Sequence, residues 1–119
     1  MITNTRNNLT LANQVRLTTH LWGRLRGLMC KKKLEDGKAL FIYPCQQIHT
    51  FFMKFPIDCI FIDQEYRVIE LIERFEPWNY SKRVPKALGV IELPKGVINR
   101  TDTQMFDLLE IVSAREIDQ

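Results

Sequence analysis

From Ala39 to Val112 the chain consists almost wholly of short apolar runs rich in Ile, Val and Phe, each cut off by a turn signal. The runs are Ala39–Tyr43, Gln47–Met53, Ile57–Asp63, Arg67–Glu73, Leu88–Leu93 and Met105–Val112. Pro44, Pro56, Asp63-Gln-Glu65, Pro77 and Pro94-Lys-Gly96 break the chain between several of them. Branched and aromatic residues in runs this short fit a pleated, half-buried surface, so the pattern predicts strands. Upstream, Asn8 to Thr18 alternates loosely through Leu9, Leu11, Val15 and Leu17 and reads as one or two further strands.

One stretch has a different period. Leu21, Trp22, Leu25, Leu28 and Met29 recur at helical spacing, with Thr18 or Thr19 as N-cap, which predicts a short helix ending near Cys30. Gly23 and Gly27 each weaken such a helix by up to ~1 kcal/mol relative to Ala, so a close packing contact is expected there. The expected fold is mainly β: a compact antiparallel barrel or sandwich-like domain of roughly six to eight short strands with one short helix. The 119 residues form one domain, long enough to bury a core without metal or disulfides. Glu76–Lys86, containing Pro77, Trp78, Tyr80 and Pro85, is the longest irregular segment, and a loop of that length in a compact domain is more often functional than idle.

Several function classes lose support at once. No apolar run approaches the ~20 residues of a membrane span, so no membrane partner is expected. The polar start, Met1 to Asn8, has no signal-peptide pattern, and a cytoplasmic location is expected. Cys30, Cys45 and Cys59 are odd in number and lack C-x-x-C spacing, which argues against a disulfide framework. No Walker loop is present, and Gly23-x-x-x-Gly27 lies in a predicted helix rather than after a strand.

The densest chemistry lies between Cys45 and Asp58. On a strand, His49, Phe51, Met53 and Phe55 share one face and Ile48, Thr50, Phe52 and Lys54 the other. Asp58 shares a stripe with Ile60 and Ile62, and Glu92 follows Leu88 and Val90. A His–carboxylate pair in a pocket could do acid–base chemistry, which makes a hydrolase-type enzyme one alternative. The simpler reading is that these groups satisfy backbone donors at strand ends. Cys45-x-x-x-His49 with Cys59 or Asp58 could suit zinc, but no second close-spaced pair accompanies it, and no metal or cofactor is expected. Cys45 and His49 also have the residue types of a thiol nucleophile, without a local signature.

Net charge is +3, unevenly distributed: residues 1–54 hold nine basic and two acidic side chains, residues 55–119 eight and twelve. Arg16, Arg24, Arg26 and Lys31–Lys33 with Trp22 and Tyr43 could bind nucleic acid through a basic helix, a second alternative. Lysines after a helix C-terminus also complement its dipole, and the +7 and −4 of the two halves can neutralise each other in one domain. Nucleic acid is therefore not the expected partner.

Arg26-Gly-Leu-Met29, Phe51-Phe-Met-Lys-Phe-Pro-Ile-Asp-Cys-Ile-Phe-Ile-Asp63 and Val90-Ile-Glu-Leu-Pro-Lys-Gly96 together resemble the family called domain of unknown function 192, over about residues 9–112. The resemblance implies a compact β-rich domain with a short helix and no established reaction. Arg26, Met53, Lys54, Asp58 and Glu92 match the family pattern, and His49 matches a common variant of it. The family often has Trp where this chain has Phe52, and usually Gly where it has Phe106, which predicts a differently shaped turn there. Relatives often begin with a secretion leader. The expected function is binding rather than catalysis, for a small ligand or a peptide segment of undefined identity, in a cleft. That cleft is expected to combine His49, Met53, Lys54, Asp58 and Glu92, with Arg26 as counter-ion and Met53 with the phenylalanines as an apolar floor.

Overall fold

A computed structural model describes residues 1–19, 34–112 and 117–118. Its strands are β1 (Ile2–Asn4), β2 (Thr10–Ala12), β3 (Gln14–Thr18), β4 (Lys38–Ile42), β5 (Ile57–Ile62), β6 (Val68–Phe75), β7 (Gly89–Pro94), β8 (Leu109–Ile111) and β9 (Ile117–Asp118). One helical turn, α1 (Val97–Arg100), follows β7. The helix predicted to end near Cys30, and Arg26 within it, lie outside the described residues.

The strands form two sheets that do not close into a barrel. The smaller has the order β2-β1-β8, the larger β6-β5-β7-β4-β3, with the two-residue β9 added beyond β3. The domain is mostly antiparallel, as expected, with a parallel edge where β3 and β4 pair from Gln14↔Lys38 to Thr18↔Ile42. A parallel neighbour cannot be reached by a tight turn, and nineteen residues separate Thr18 from Lys38 in the sequence.

Strand character follows burial on the larger sheet. Every residue of β5 and of β7 is buried, which is why Ile57-Asp-Cys-Ile-Phe-Ile62 reads as a continuous apolar run rather than an alternation. One face carries Ala39, Phe41, Ile60, Ile62, Ile91 and Leu93, packed on Ile2, Leu11 and Leu109 of the smaller sheet and on Val97 and Ile98 of α1. The opposite face carries Leu40, Ile42, Ile57, Cys59, Phe61 and Val90, covered by Leu34, Ile48, Met53, Phe55, Val84 and Ala87. The molecule thus has one stacked face and one face roofed by irregular chain. Gly89 admits the close approach of β7 to β4: a Cβ there would sit 2.4 Å from the Ile42 carbonyl oxygen and 2.8 Å from the Phe41 ring.

The roof is where local patterning misleads. Gln47–Met53, expected as a strand, makes a single bridge, His49↔Tyr80, and otherwise turns. Pro44 and Pro56 bracket it, and the Tyr43–Pro44 peptide is cis. Met105–Val112 shortens to β8, because Met105 and Phe106 form a turn and Leu108 makes only an isolated bridge, with Arg67. Conversely, the polar start contributes β1, which gains its pairing from neighbours on both sides, β2 and β8.

Phe106 occupies the position where the resemblance predicted glycine and a changed turn. It adopts φ +71°, the left-handed backbone that glycine takes without strain. Phe106 thus holds a glycine-type conformation without the glycine. The same turn is tied to β1 by charge: Asp107 accepts from Arg6 Nε at 2.8 Å and from Asn4 Nδ2 at 2.7 Å. Burial pushes the Asp107 carboxyl up, but the Arg6 and Asn4 hydrogen bonds and the Gln104 N–H outweigh it and hold it below the usual carboxylate range.

Candidate functional site

The residues singled out by sequence divide between the two faces of the large sheet. Asp58 and Glu92 lie on adjacent strands, but the register pairs Asp58 with Leu93 and Cys59 with Glu92. Paired residues point the same way and successive ones alternate, so the two carboxylates project to opposite sides. Asp58 is buried on the stacked face and is occupied by backbone. Its Oδ2 accepts from Gly96 N–H at 3.1 Å and Ile98 N–H at 2.9 Å, and its Oδ1 accepts from Arg74 N–H at 2.9 Å. It therefore serves as the missing cap of α1, whose N-cap Gly96 has no side chain to offer. It also satisfies the bulge that the register shift between Ile57 and Cys59 creates in β6.

Glu92 is fully buried on the other side, in register with Leu40 and Cys59. Met53 is buried in the same apolar cluster, while Lys54 is exposed. The segment carrying His49 and Met53 is not a strand, so the shared face expected from alternation does not apply to them. Among the described residues, no three His, Cys, Asp or Glu side chains are grouped closely enough to hold a metal ion.

His49 belongs to a cleft of about 580 Å³ on the roofed face. Its apolar walls are Ile42, Ile48, Ala87 and Leu88, and its polar groups come from Gln46, Gln47, His49, Gln64 and Arg83, with Cys45 beside them. Two irregular segments, residues 44–56 and 76–88, frame it and are laced together. The buried Thr50 hydroxyl donates to Glu76 O at 2.6 Å and accepts from Asn79 N–H at 3.0 Å. Thr50 N–H donates to Asn79 O, Trp78 N–H to Thr50 O, Ser81 N–H to Ile48 O and Val84 N–H to Gln46 O. Arg83 Nη2 donates to the Gln46 side-chain oxygen at 2.8 Å, which orients the guanidinium beside the cleft using a neutral partner.

A chain of rings continues from the cleft. His49 and Phe51 have centroids 5.0 Å apart, Phe51 stacks on Trp78 at 6.1 Å and 27°, and Phe52 meets the edge of Trp78 at 4.9 Å. Phe52, Trp78 and Tyr80 are 54%, 61% and 70% exposed, unlike Phe41, Phe55 and Phe61, which are buried. Phe52 and Trp78 both sit at positive φ, +70° and +66°, a conformation that costs a non-glycine residue of order 1 kcal/mol or more. Sequence reasoning marked the segment from Glu76 to Lys86 by its length and composition, but had no means of joining it to His49.

A two-sheet β domain with a cleft and an aromatic surface built from paired irregular segments is the class of molecule these observations define. The chain belongs to the family termed domain of unknown function 192 and described as an uncharacterized ACR, whose model matches residues 2–111. It is 34% identical over 102 residues to a UPF0127 protein of Pyrococcus horikoshii, covering 82% of this chain and 86% of that one. A UPF0127 protein of Thermococcus sibiricus is 32% identical over 117 residues, covering 92% of this chain and 73% of that one. Among solved structures, a protein of unknown function from Novosphingobium aromaticivorans superposes with a TM-score of 0.71 at 20% identity, covering 82% of this chain and 74% of that one. A structure from Sinorhizobium meliloti superposes with a TM-score of 0.68, also at 20% identity, covering 81% and 79%. These likenesses establish the family and the fold.

Proposed function

We propose that this protein is a binding domain whose working surface is the cleft and ring cluster on the roofed face of the large sheet, rather than a surface joining Asp58 to Glu92. The observation that carries the reading is the pair of cross-laced segments holding a cleft of about 580 Å³, a size suited to a small ligand or the side chains of a peptide segment. The apolar walls supply contact area. Gln47, Gln64 and His49 supply hydrogen bonds, and Arg83 supplies a cation for an anionic group. Fixed amide and guanidinium groups on a rigid frame suit recognition, since little ordering entropy remains to be lost on binding. His49 lines the cleft, while Met53 is buried in the apolar cluster of that face, Lys54 is exposed on the same segment and Asp58 acts as a scaffold group.

Amide NMR of the intact chain against a set of small carboxylic acids and dipeptides tests this. Ligands are expected to shift the amides of Gln46–His49 and Arg83–Leu88, and Arg83→Gln is expected to weaken anionic ligands about tenfold, as for the loss of one charge-assisted hydrogen bond. Ligands that shift instead the groove of Leu17, Phe41, Tyr66 and Ile111 contradict the reading.

A further inference from the structure

We infer that the roofed face binds single-stranded nucleic acid, with bases stacked on Trp78, Phe52 and Tyr80 and the phosphates drawn by Lys54, Arg83 and Lys86. This deepens the binding reading above and rests on it. The first observation is where the charge lies. Residues 44–56 and 76–88 hold four basic side chains, Lys54, Lys82, Arg83 and Lys86, against Glu76 alone. Those two segments thus carry +3, the net charge of the whole chain, and the remaining residues balance at 13 basic and 13 acidic. Lys82 is engaged by Glu70 at 3.3 Å. Lys54, Arg83 and Lys86 are exposed and form no salt bridge with any described residue.

The second observation is the rings. The same two segments carry Phe52, Trp78 and Tyr80, each more than half exposed. Two of these rings are displayed by left-handed backbone, and such backbone strain collects at working sites. Phe51 stacks beneath Trp78 and meets Tyr80 edge-on at 6.5 Å, so the platform is braced from below. Flat exposed rings and exposed cations on the same two segments are the two components of sequence-tolerant recognition of a single strand: each base offers a π-face and each linkage a charge. A duplex hides its base faces, so the platform selects against it. A neutral glycan could stack on the rings but has no use for the cations, and an apolar peptide likewise. Charge complementarity selects the polyanion. The site proposed consists of two loops and not of the basic helix, which the sequence offered only as an alternative and which lies outside the described residues.

The test uses the intact chain and fluorescence anisotropy of a fluorescein-labelled 12-nucleotide oligothymidylate, with the matching duplex and free thymidine monophosphate as competitors. Binding is expected to fall about 15- to 20-fold between 50 and 200 mM NaCl, the loss for roughly three phosphate contacts on a single strand. Trp78→Ala is expected to weaken binding tenfold or more, the loss of one stacked base, while leaving the melting temperature unchanged because the ring is exposed. Arg83→Gln should reduce the salt dependence, and the combined Lys31→Gln, Lys32→Gln and Lys33→Gln variant should bind within twofold of the parent. Absence of binding at 100 μM protein overturns the proposal, as does full binding by Trp78→Ala, equal binding of the duplex, or a loss confined to the triple-lysine variant. If the oligonucleotide fails while carboxylic acids or dipeptides still shift the cleft amides, the strand proposal falls and the binding reading stands. If both fail, both fall.

Discussion

The two faces of the large sheet are covered in opposite ways. On the stacked face, regular elements meet a regular sheet, and the carboxylates there are used up within the fold: Asp58 by three backbone N–H donors, Asp107 by the Arg6 and Asn4 side chains and the Gln104 N–H. On the roofed face, two irregular segments are held by their own cross-bonds, and aromatic and basic side chains are left facing solvent. A buried carboxylate that is fully hydrogen-bonded has no capacity left for a ligand, whereas rings more than half exposed keep open surface for one. The contrast separates what holds this molecule together from what it presents to others.

Substitutions on each face can break that contrast. The largest effect is expected at Asp58: Asp58→Ala leaves one buried and two part-buried N–H groups without their acceptor and should cost about 3 kcal/mol in a denaturant titration. A cost below 1 kcal/mol would mean that the carboxylate is not the tie described. On the roofed side, Thr50→Val keeps the shape but removes the hydroxyl between Glu76 and Asn79, and should cost about 2 kcal/mol. The same change is expected to weaken ligand binding, an effect that Asp58→Asn, on the other face, should not have in the folded fraction.

Acid sharpens the comparison further. The folded Asp107 carboxyl is held below its ordinary range, so its contribution is complete above the unfolded pKa, about 4, and is lost as pH falls through the lower folded value. Melting temperature measured from pH 7 down to pH 2 should therefore fall more steeply below about pH 4 for the parent than for Arg6→Gln, which lacks the guanidinium that holds the shift. Parallel curves for the two proteins would contradict this. The smallest effect is expected at Phe106, where Phe106→Gly relieves positive φ on an exposed turn and should raise stability by up to about 1 kcal/mol in the same titration.

Much of the stacked half was legible from sequence because its signals are local. The unbroken apolar runs of β5 and β7 mark strands covered on both sides, and the assignment of Asp58 to the Ile60 stripe and of Glu92 to the Val90 stripe follows from alternation alone. What alternation does not contain is register. Only the pairing of Cys59 with Glu92 reveals that the two stripes lie on opposite faces. The parallel pairing of β3 with β4 was hidden for a similar reason, since alternation within a strand carries no direction of pairing. Gln47–Met53 has the composition of a strand yet spends its backbone groups on Asn79, Trp78 and Ser81 across a gap of some thirty residues, so its burial pattern follows those bonds and not a period of two. The exposed rings of Phe52 and Trp78 carry no sequence mark of exposure, because aromatic residues in a β-rich chain ordinarily read as core.

The most direct test of the division between faces is an amide chemical-shift map of the intact chain during titration with the 12-nucleotide oligothymidylate. The account predicts shifts concentrated in residues 46–54 and 76–88, with β1, β2, α1 and β8 unmoved. Shifts concentrated on β1, β2, α1 or β8 would contradict it, because they would make the stacked face the one that binds.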